Sequence, residues 1–415
     1  MNSRRDRLSL DAGELSGAPE RLRVLMLINK MHPGGGAERV MVGLATHLPR
    51  ERFEVLIATT RFTSGPLRDA VIASGISHLS LDRHHRFDLP PFRRLVSLLR
   101  EQRVDVLHSH MFGSNLWGSI FGRLTRVPAV VAHEHSWAYR GQPLRRVVDG
   151  QVIGRLADAF VAVSERDRRR MIALEGVPAH KTVVIPNPYI PRNAGPTADV
   201  RRMFGIPADA PVIASIANLR PEKALEVLIE AFALVRRSLP DARLIIAGDG
   251  PCRDALERRA AELGGGHRVH LVGQWEDVGG LLDRVDVAAI SSDREGAPLF
   301  AMECMVHFTP LVSTDVGNVG DVLEDGREVM LVPRRDPVAL AAGLVDLLRD
   351  PVRAAAQATA AATHIDRYRI DHAAGEFAAL YERLVARGAA RRPLTPGAPS
   401  TDLPPGSPSR LAAPL

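Results

Sequence analysis

An α/β fold of two doubly wound, Rossmann-like domains in tandem is what the sequence predicts, and three observations predict it. From Leu22 onward, short apolar runs alternate with amphipathic stretches whose apolar residues recur every three or four positions, the rhythm of βα units around a parallel sheet. That rhythm breaks at Val183-Val-Ile-Pro-Asn-Pro-Tyr189 and the Pro/Gly/Asn-containing stretch to Pro196, then restarts. The chain has 415 residues, 45% hydrophobic and 25% charged, which is ordinary globular composition and enough for two domains at about 100–200 residues each.

The first series of strands is expected at Val24–Ile28, Val55–Thr59, Val104–His108, Ala129–Ala132 and Ala159–Val163, each short and almost wholly apolar, as strands covered on both faces are. Between them, Ala37–Leu48 and Pro91–Arg100 carry helical periodicity. The second series is expected at Val212–Ala217, Arg243–Ala247, Val269–Val272, Val287–Ile290 and Leu311–Ser313, with helices over Leu225–Ser238, Cys252–Leu263 and Pro298–Val306. The domains then run over 22–190 and 191–366, followed by an amphipathic helix over 367–387. The charged segment 1–21 and the Pro/Gly/Ser-rich segment 388–415 are expected to be disordered. Ligands of open α/β sheets bind outside the carboxyl ends of the strands, so two such domains facing each other place a site in the cleft between them.

Composition excludes several functional classes. Two cysteines, Cys252 and Cys304, are too few for a disulfide framework or a structural zinc site. The formal charge of +6 resides mostly in the tails: residues 1–23 and 387–415 carry +4 of it. A nearly neutral body with 5% aromatic residues does not suit a nucleic-acid clamp. No apolar run reaches the roughly 18 residues that span a bilayer, and the first 20 residues lack the apolar core of a secretory signal, so a cytoplasmic protein is expected.

Four constellations carry candidate chemistry. His32-Pro-Gly-Gly-Gly-Ala-Glu-Arg39 sits at a strand-to-helix turn, where Gly35 and Gly36 let backbone N–H groups approach an anion; a tight turn alone would use the same glycines. It is neither a dinucleotide fingerprint nor a P-loop. In Glu295-Gly-Ala-Pro-Leu-Phe-Ala-Met-Glu303, Pro298 suits the first turn of a helix. The N–H groups of Gly296, Ala297 and Leu299 then suit a phosphate, and Glu295 and Glu303 flank it as acceptors for hydroxyl-rich groups. Asn218-Leu-Arg-Pro-Glu-Lys223 follows a strand, and Lys223 is one of only three lysines; with Arg220 it offers cations to the cleft, or else a plain exposed charge run. His108-Ser-His110 and His133-Glu-His135 are expected just past strand ends. They lack the spacing of a zinc protease and suit either hydrogen bonding to a ligand or packing. No Asp-x-Asp pair exists to chelate a metal on a nucleotide diphosphate, so no metal is expected.

Together these residues resemble glycosyltransferase family 4, the retaining group 1 enzymes of the GT-B fold. The likeness spans nearly all of 22–387: the GGGAER loop, Asp105-Val-Leu-His-Ser-His110, Ala162-Val-Ser-Glu165, Val184-Ile-Pro-Asn187, Leu219-Arg-Pro-Glu-Lys223, Gly248-Asp-Gly-Pro251 and the pair of glutamates eight residues apart. The resemblance implies transfer of a hexose from a nucleoside diphosphate sugar to a saccharide or lipid-linked acceptor, with retained anomeric configuration and no cofactor or essential metal. Residues 22–190 would form the acceptor side and 191–366 the donor side. By motif position, Glu295 looks like the residue holding donor-sugar hydroxyls and Glu303 the ribose, while Arg220 and Lys223 neutralise the diphosphate. Gly35 and Gly36 resemble the loop that closes on the donor, and His135 and His110 the side chains at the transferred hexose.

The chain departs from the family in lacking glycine at Pro188, Ala224, Phe308, Asn318 and Val329, and in placing Asn218 where the family carries Arg. A non-catalytic relative that only holds a nucleotide or a partner protein, and a nucleotide-sugar epimerase of the same fold, are the competing readings. Arg83-His-His-Arg86, Arg93-Arg94 and Tyr139-Arg-Gly-Gln-Pro-Leu-Arg-Arg146 add an expectation of peripheral contact with anionic membrane, set against Pro91–Arg100 being an ordinary sheet-covering helix.

Overall fold

The computed structural model describes residues 21–31, 35–85, 88–135, 142–191, 199–295, 299–316 and 319–390. Residues 1–20 and 391–415 of the expected tails lie outside the described residues, together with Gly296, Ala297, Pro298, Asn318, Arg86 and Tyr139-Arg-Gly141, while 388–390 continue the last helix, expected to end at 387, to Ala390.

Two all-parallel sheets confirm the expected fold class. The first holds seven strands, β1 (Leu22–Ile28), β2 (Phe53–Thr59), β3 (Ser77–Ser80), β4 (Val106–His110), β5 (Ala129–Glu134), β6 (Ala159–Ala162) and β7 (Thr182–Val184), in the order β3-β2-β1-β4-β5-β6-β7. The second holds six, β8 (Val212–Ile216), β9 (Arg243–Ala247), β10 (Val269–Gly273), β11 (Val287–Ile290), β12 (Leu311–Thr314) and β13 (Met330–Val332), in the order β10-β9-β8-β11-β12-β13. The strand order reverses between β1 and β4 and again between β8 and β11, so each sheet has a switch point where loops diverge and leave a crevice.

The alternation of side chains along β1 builds a core on each face. Val24, Met26 and Ile28 join a cluster under helix Gly36–His47, and Leu25 and Leu27 join Leu107 and Val130 on the opposite side. In the second sheet, helix Leu225–Ser238 buries Leu225, Leu228, Phe232 and Val235, a 3.6-residue stripe, against helix Pro337–Arg349 and β8–β9. That second helix starts where a helix should: Asp336 accepts the N–H groups of Val338 and Ala339, and Pro337 occupies the first turn. The last helix, Ile370–Ala390, returns to the first sheet, where Phe377 and Tyr381 are fully buried.

Several expected bounds shift. The strand expected at Val104–His108 is β4, Val106–His110, and the strand expected to end at Ala132 runs to Glu134. His108, His110 and His133 therefore lie within strands and not in loops beyond them. The reason is that neutral imidazoles are tolerated in a buried strand when an aromatic helix, here Phe377 and Tyr381, covers them. The short strands β3, β7 and β13 were not expected from the sequence, since none carries a long apolar run.

Candidate active site

The loops that follow β1, β8 and β11 leave the two switch points, and they carry most of the residues singled out in the sequence. After β8, Pro221–Lys223 forms a 3-10 turn, and Ala224 closes it in the left-handed region at φ +46° before helix Leu225–Ser238 begins. This turn puts Lys223 Nζ 2.7 and 2.6 Å from the two carboxylate oxygens of Glu295, in the loop after β11. Ser292 Oγ donates to Glu295 Oε1 at 2.5 Å, Thr314 Oγ1 donates to the Ser292 carbonyl at 2.7 Å, and Ser291 Oγ donates to the Lys223 carbonyl at 3.1 Å. The two loops are thus tied by side chains, and the ion pair sits where both side chains are mostly shielded, 21% and 13% exposed. Arg220 stands apart: it is exposed and has no side-chain partner among the described residues, leaving its guanidinium available to an anion.

Glycine is required where the β8 loop is crossed. Gly248, after β9, has φ +135°, and a Cβ there would lie 1.9 Å from the Ala217 carbonyl oxygen. The Gly248-Asp-Gly-Pro251 motif therefore fixes the loop that carries Arg220 and Lys223, and Leu219 N donates to the Asp249 carbonyl at 3.0 Å.

Glu303 lies in helix Leu299–Val306 and is 3% exposed. It borders a cavity of about 90 Å³ lined also by Tyr189, Glu276, Asp277, Val278, Gly279 and His307. Arg39, on helix Gly36–His47 of the first sheet, comes 3.7 Å from Glu303 Oε1. Gly36, at the start of that helix, approaches Leu299 so closely that a Cβ would lie 3.1 Å from Leu299 Cδ1. The two halves therefore meet at the glycine loop and at Glu303. Sequence reasoning gave Arg39 no role; the available signal was a charge on a helix whose neighbours Val40, Met41 and Leu44 are core residues.

The histidines form a separate buried group. His135 Nδ1 is 3.0 Å from Asn187 Oδ1, and its Nε2 is 2.9 Å from His110 Nδ1. With Asn187 accepting, Nδ1–H of His135 donates, and Nδ1–H of His110 donates in turn to His135 Nε2. Burial pushes the pKa of His135 down to about 4, and that of His108 to about 3, so both rings are neutral near pH 7. The sequence left ligand contact and packing both open for these histidines; His110 is 0% and His135 4% exposed, with His135 held against Asn187. Buried Asp149 and Glu134 share the half-buried Arg145, which lies 3.6 Å from Glu134 and 4.0 Å from Asp149. Burial, and then the Glu134 and Glu175 carboxylates, raise the pKa of Asp149 to about 8.

Two positions that lack the family's glycine adopt the backbone glycine favours. Ala224 is at φ +46° and Phe308, after helix Leu299–Val306, is at φ +50° with its ring 62% exposed.

Comparison with known proteins places this geometry. Residues 34–191 match the family described as Glycosyltransferase Family 4, and residues 210–350 match Glycosyl transferases group 1. The D-inositol 3-phosphate glycosyltransferase of Thermobispora bispora is 28% identical over 390 residues, covering 85% of this chain and 91% of that protein. The alpha-D-kanosaminyltransferase of Streptomyces kanamyceticus is 26% identical over 308 residues, covering 69% of this chain and 79% of that protein. Among solved structures, Anabaena Alr3699/HepE in complex with UDP superposes with a TM-score of 0.76 at 22% identity, over 87% of this chain and all of that one.

Proposed function

Because the chain belongs to the group 1 glycosyltransferases of family 4 and is a nucleotide-sugar glycosyltransferase of the GT-B fold, we propose that it moves a hexose from a nucleoside diphosphate sugar to a saccharide or lipid-linked acceptor, with retention and without a metal on the diphosphate. The observation that carries this reading is the Lys223–Glu295 pair at the β8/β11 switch point, with Arg220, which has no side-chain partner among the described residues, beside it in sequence. On donor binding, Lys223 and Arg220 turn to the diphosphate, where negative charge grows as the glycosidic bond breaks. Glu295, released from Lys223, accepts hydroxyls of the sugar, and Glu303 accepts those of the ribose. The cavity beside Glu303 marks the side where the nucleotide would enter, and uridine is the first nucleoside to test given the UDP complex of a protein with the same fold. Gly35 and Gly36 close over the donor, with Gly296, Ala297 and Leu299 offering N–H groups to its phosphates, and His135 meets the transferred hexose once the cleft rearranges.

Residues 22–190 serve the acceptor and 191–366 the donor. A place at the inner face of an anionic membrane, in assembly of a cell-surface polysaccharide or glycolipid, fits the acceptor side. There Leu89 is 63% exposed, and a groove of about 570 Å³ is lined by Phe92, Val96, Phe121, Arg93 and Arg100. Among the described residues no helix is long and apolar enough to cross a membrane. Leu95 and Leu99 of helix Leu89–Glu101 are buried in its own core, so its contact face is Phe92, Arg93 and Val96. The left-handed backbone at Ala224 and Phe308, a conformation glycine would also adopt, favours turnover over a degenerate binding role.

The test is hydrolysis and transfer across UDP-, GDP-, ADP- and TDP-sugars in chelator, comparing the parent with Glu295→Ala and Lys223→Ala. Turnover of one donor, abolished by both substitutions, is the expected result. Tight binding without turnover when acceptors are supplied would overturn it in favour of a ligand-holding protein, and conversion of donor to an isomer would favour an epimerase.

A further inference from the structure

We propose that His108, His110 and His133 form a binding site for a first-row transition-metal dication of the Zn²⁺ type, separate from the diphosphate-binding residues. His108 and His110 alternate on β4 and so share a face, and His133 sits on β5 directly opposite His110. One nitrogen from each ring lies within 4.8 Å of the other two, with all three residues buried. Metal–imidazole bonds of about 2.0–2.1 Å place ligand nitrogens about 3.4 Å apart in a tetrahedral site, so small ring rotations converge them.

The nitrogens that would bind are those the protein leaves unsatisfied. His108 Nε2, His110 Nε2 and both ring nitrogens of His133 are buried without a hydrogen-bond partner among the described residues. A buried ring nitrogen without a partner carries an uncompensated desolvation cost, which a shared cation relieves for the lone pair it binds on each ring. For His108 and His110 the opposite nitrogens are held as metal-binding imidazoles usually are. His108 Nδ1 is 2.6 Å from the Tyr381 hydroxyl, and His110 Nδ1–H donates into His135 and through it to Asn187, which leaves Nε2 of His110 as a bare lone pair. Three imidazoles and no oxygen donor select zinc, cobalt, nickel or copper over magnesium or calcium. The expectation of no metal rested on the absence of Asp-x-Asp and on histidine spacing along the chain; this site is made instead by the register of two neighbouring strands.

The test uses the full chain, stripped of metal, and Co²⁺ alone under slow equilibrium dialysis, because the rings are buried and loading requires the structure to open. One equivalent of Co²⁺ with visible bands of nitrogen coordination is expected, and X-ray absorption of the Zn²⁺ form should show imidazole nitrogens at about 2.0–2.1 Å. His133→Gln and His108→Gln should each weaken binding at least tenfold, and Tyr381→Phe, which removes only an outer hydrogen bond, about tenfold to a hundredfold. Absence of bound metal in the parent, coordination by oxygen alone, or unchanged affinity in His133→Gln and His108→Gln would overturn the proposal. Circular dichroism verifies that each variant is folded, and the absorption spectrum of the parent decides the matter if one is not.

Discussion

Replacing Arg39 with methionine removes a charge while keeping most of the side-chain volume. Arg39 is 18% exposed and reaches from the first sheet's helix to Glu303, 3% exposed, on the second sheet's helix. At 3.7 Å the gross attraction is about 4 kcal/mol at an effective dielectric constant near 20. Desolvation and the further partners of both groups reduce it, so a net coupling of about 1–3 kcal/mol is expected, about 5-fold to 150-fold in kcat/KM. Glu303 is proposed to hold the ribose, which does not change during bond cleavage, so the loss should fall on donor KM with kcat nearly unchanged. Steady-state transfer kinetics of Arg39→Met, Glu303→Gln and the double variant measure the coupling directly. A kcat/KM within threefold of the parent would refute the reasoning, as would additive single effects or a loss confined to kcat.

Four other outcomes follow from the same geometry. Phe308→Gly should stabilise the chain by about 1 kcal/mol, because a left-handed residue with an exposed ring bears strain that glycine lacks; a thermal melt checks it, and an unchanged or lower Tm would contradict it. Gly248→Ala should destabilise by about 3 kcal/mol or more and lower activity, since its Cβ would meet the Ala217 carbonyl at 1.9 Å; urea unfolding with a full activity assay measures both. Lys223→Met should cut kcat by about 10²–10³ through loss of charge at the leaving group, with Lys223→Arg partly restored, as single-turnover kinetics would show. The pKa of Asp149 is raised to about 8 when folded, from 3.8, so between these values the folded state holds a proton the unfolded state lacks. Stability from this group is complete below pH 4 and falls by about 1.4 kcal/mol per pH unit until about pH 8. Asp149→Asn should remove that component, seen as the difference between the urea stabilities of the two proteins over pH 5–8.

What the sequence by itself determined is what depends on near neighbours along the chain. Apolar runs such as Val24–Ile28 and the stripe in Leu225–Ser238 specify their elements locally, because period and burial are encoded within a dozen residues. Short motifs at strand ends, Lys223, Glu295 and the glycine loop among them, were legible for the same reason: a strand-to-helix turn is a local object, and its position at a sheet's edge of reversal makes it a site. Tertiary structure decided everything that joins distant segments. Only packing brought Lys223 onto Glu295, Arg39 onto Glu303, and the last helix back over the first sheet, so that Phe377 and Tyr381 cover the histidines. Histidine in β4 reads as a loop residue by composition, yet the register of β4 against β5 stacks His110 opposite His133 and seals both from water. The reason is physical: strand register and helix return are fixed by burial of apolar area from remote parts of the chain, a sum that no local window contains.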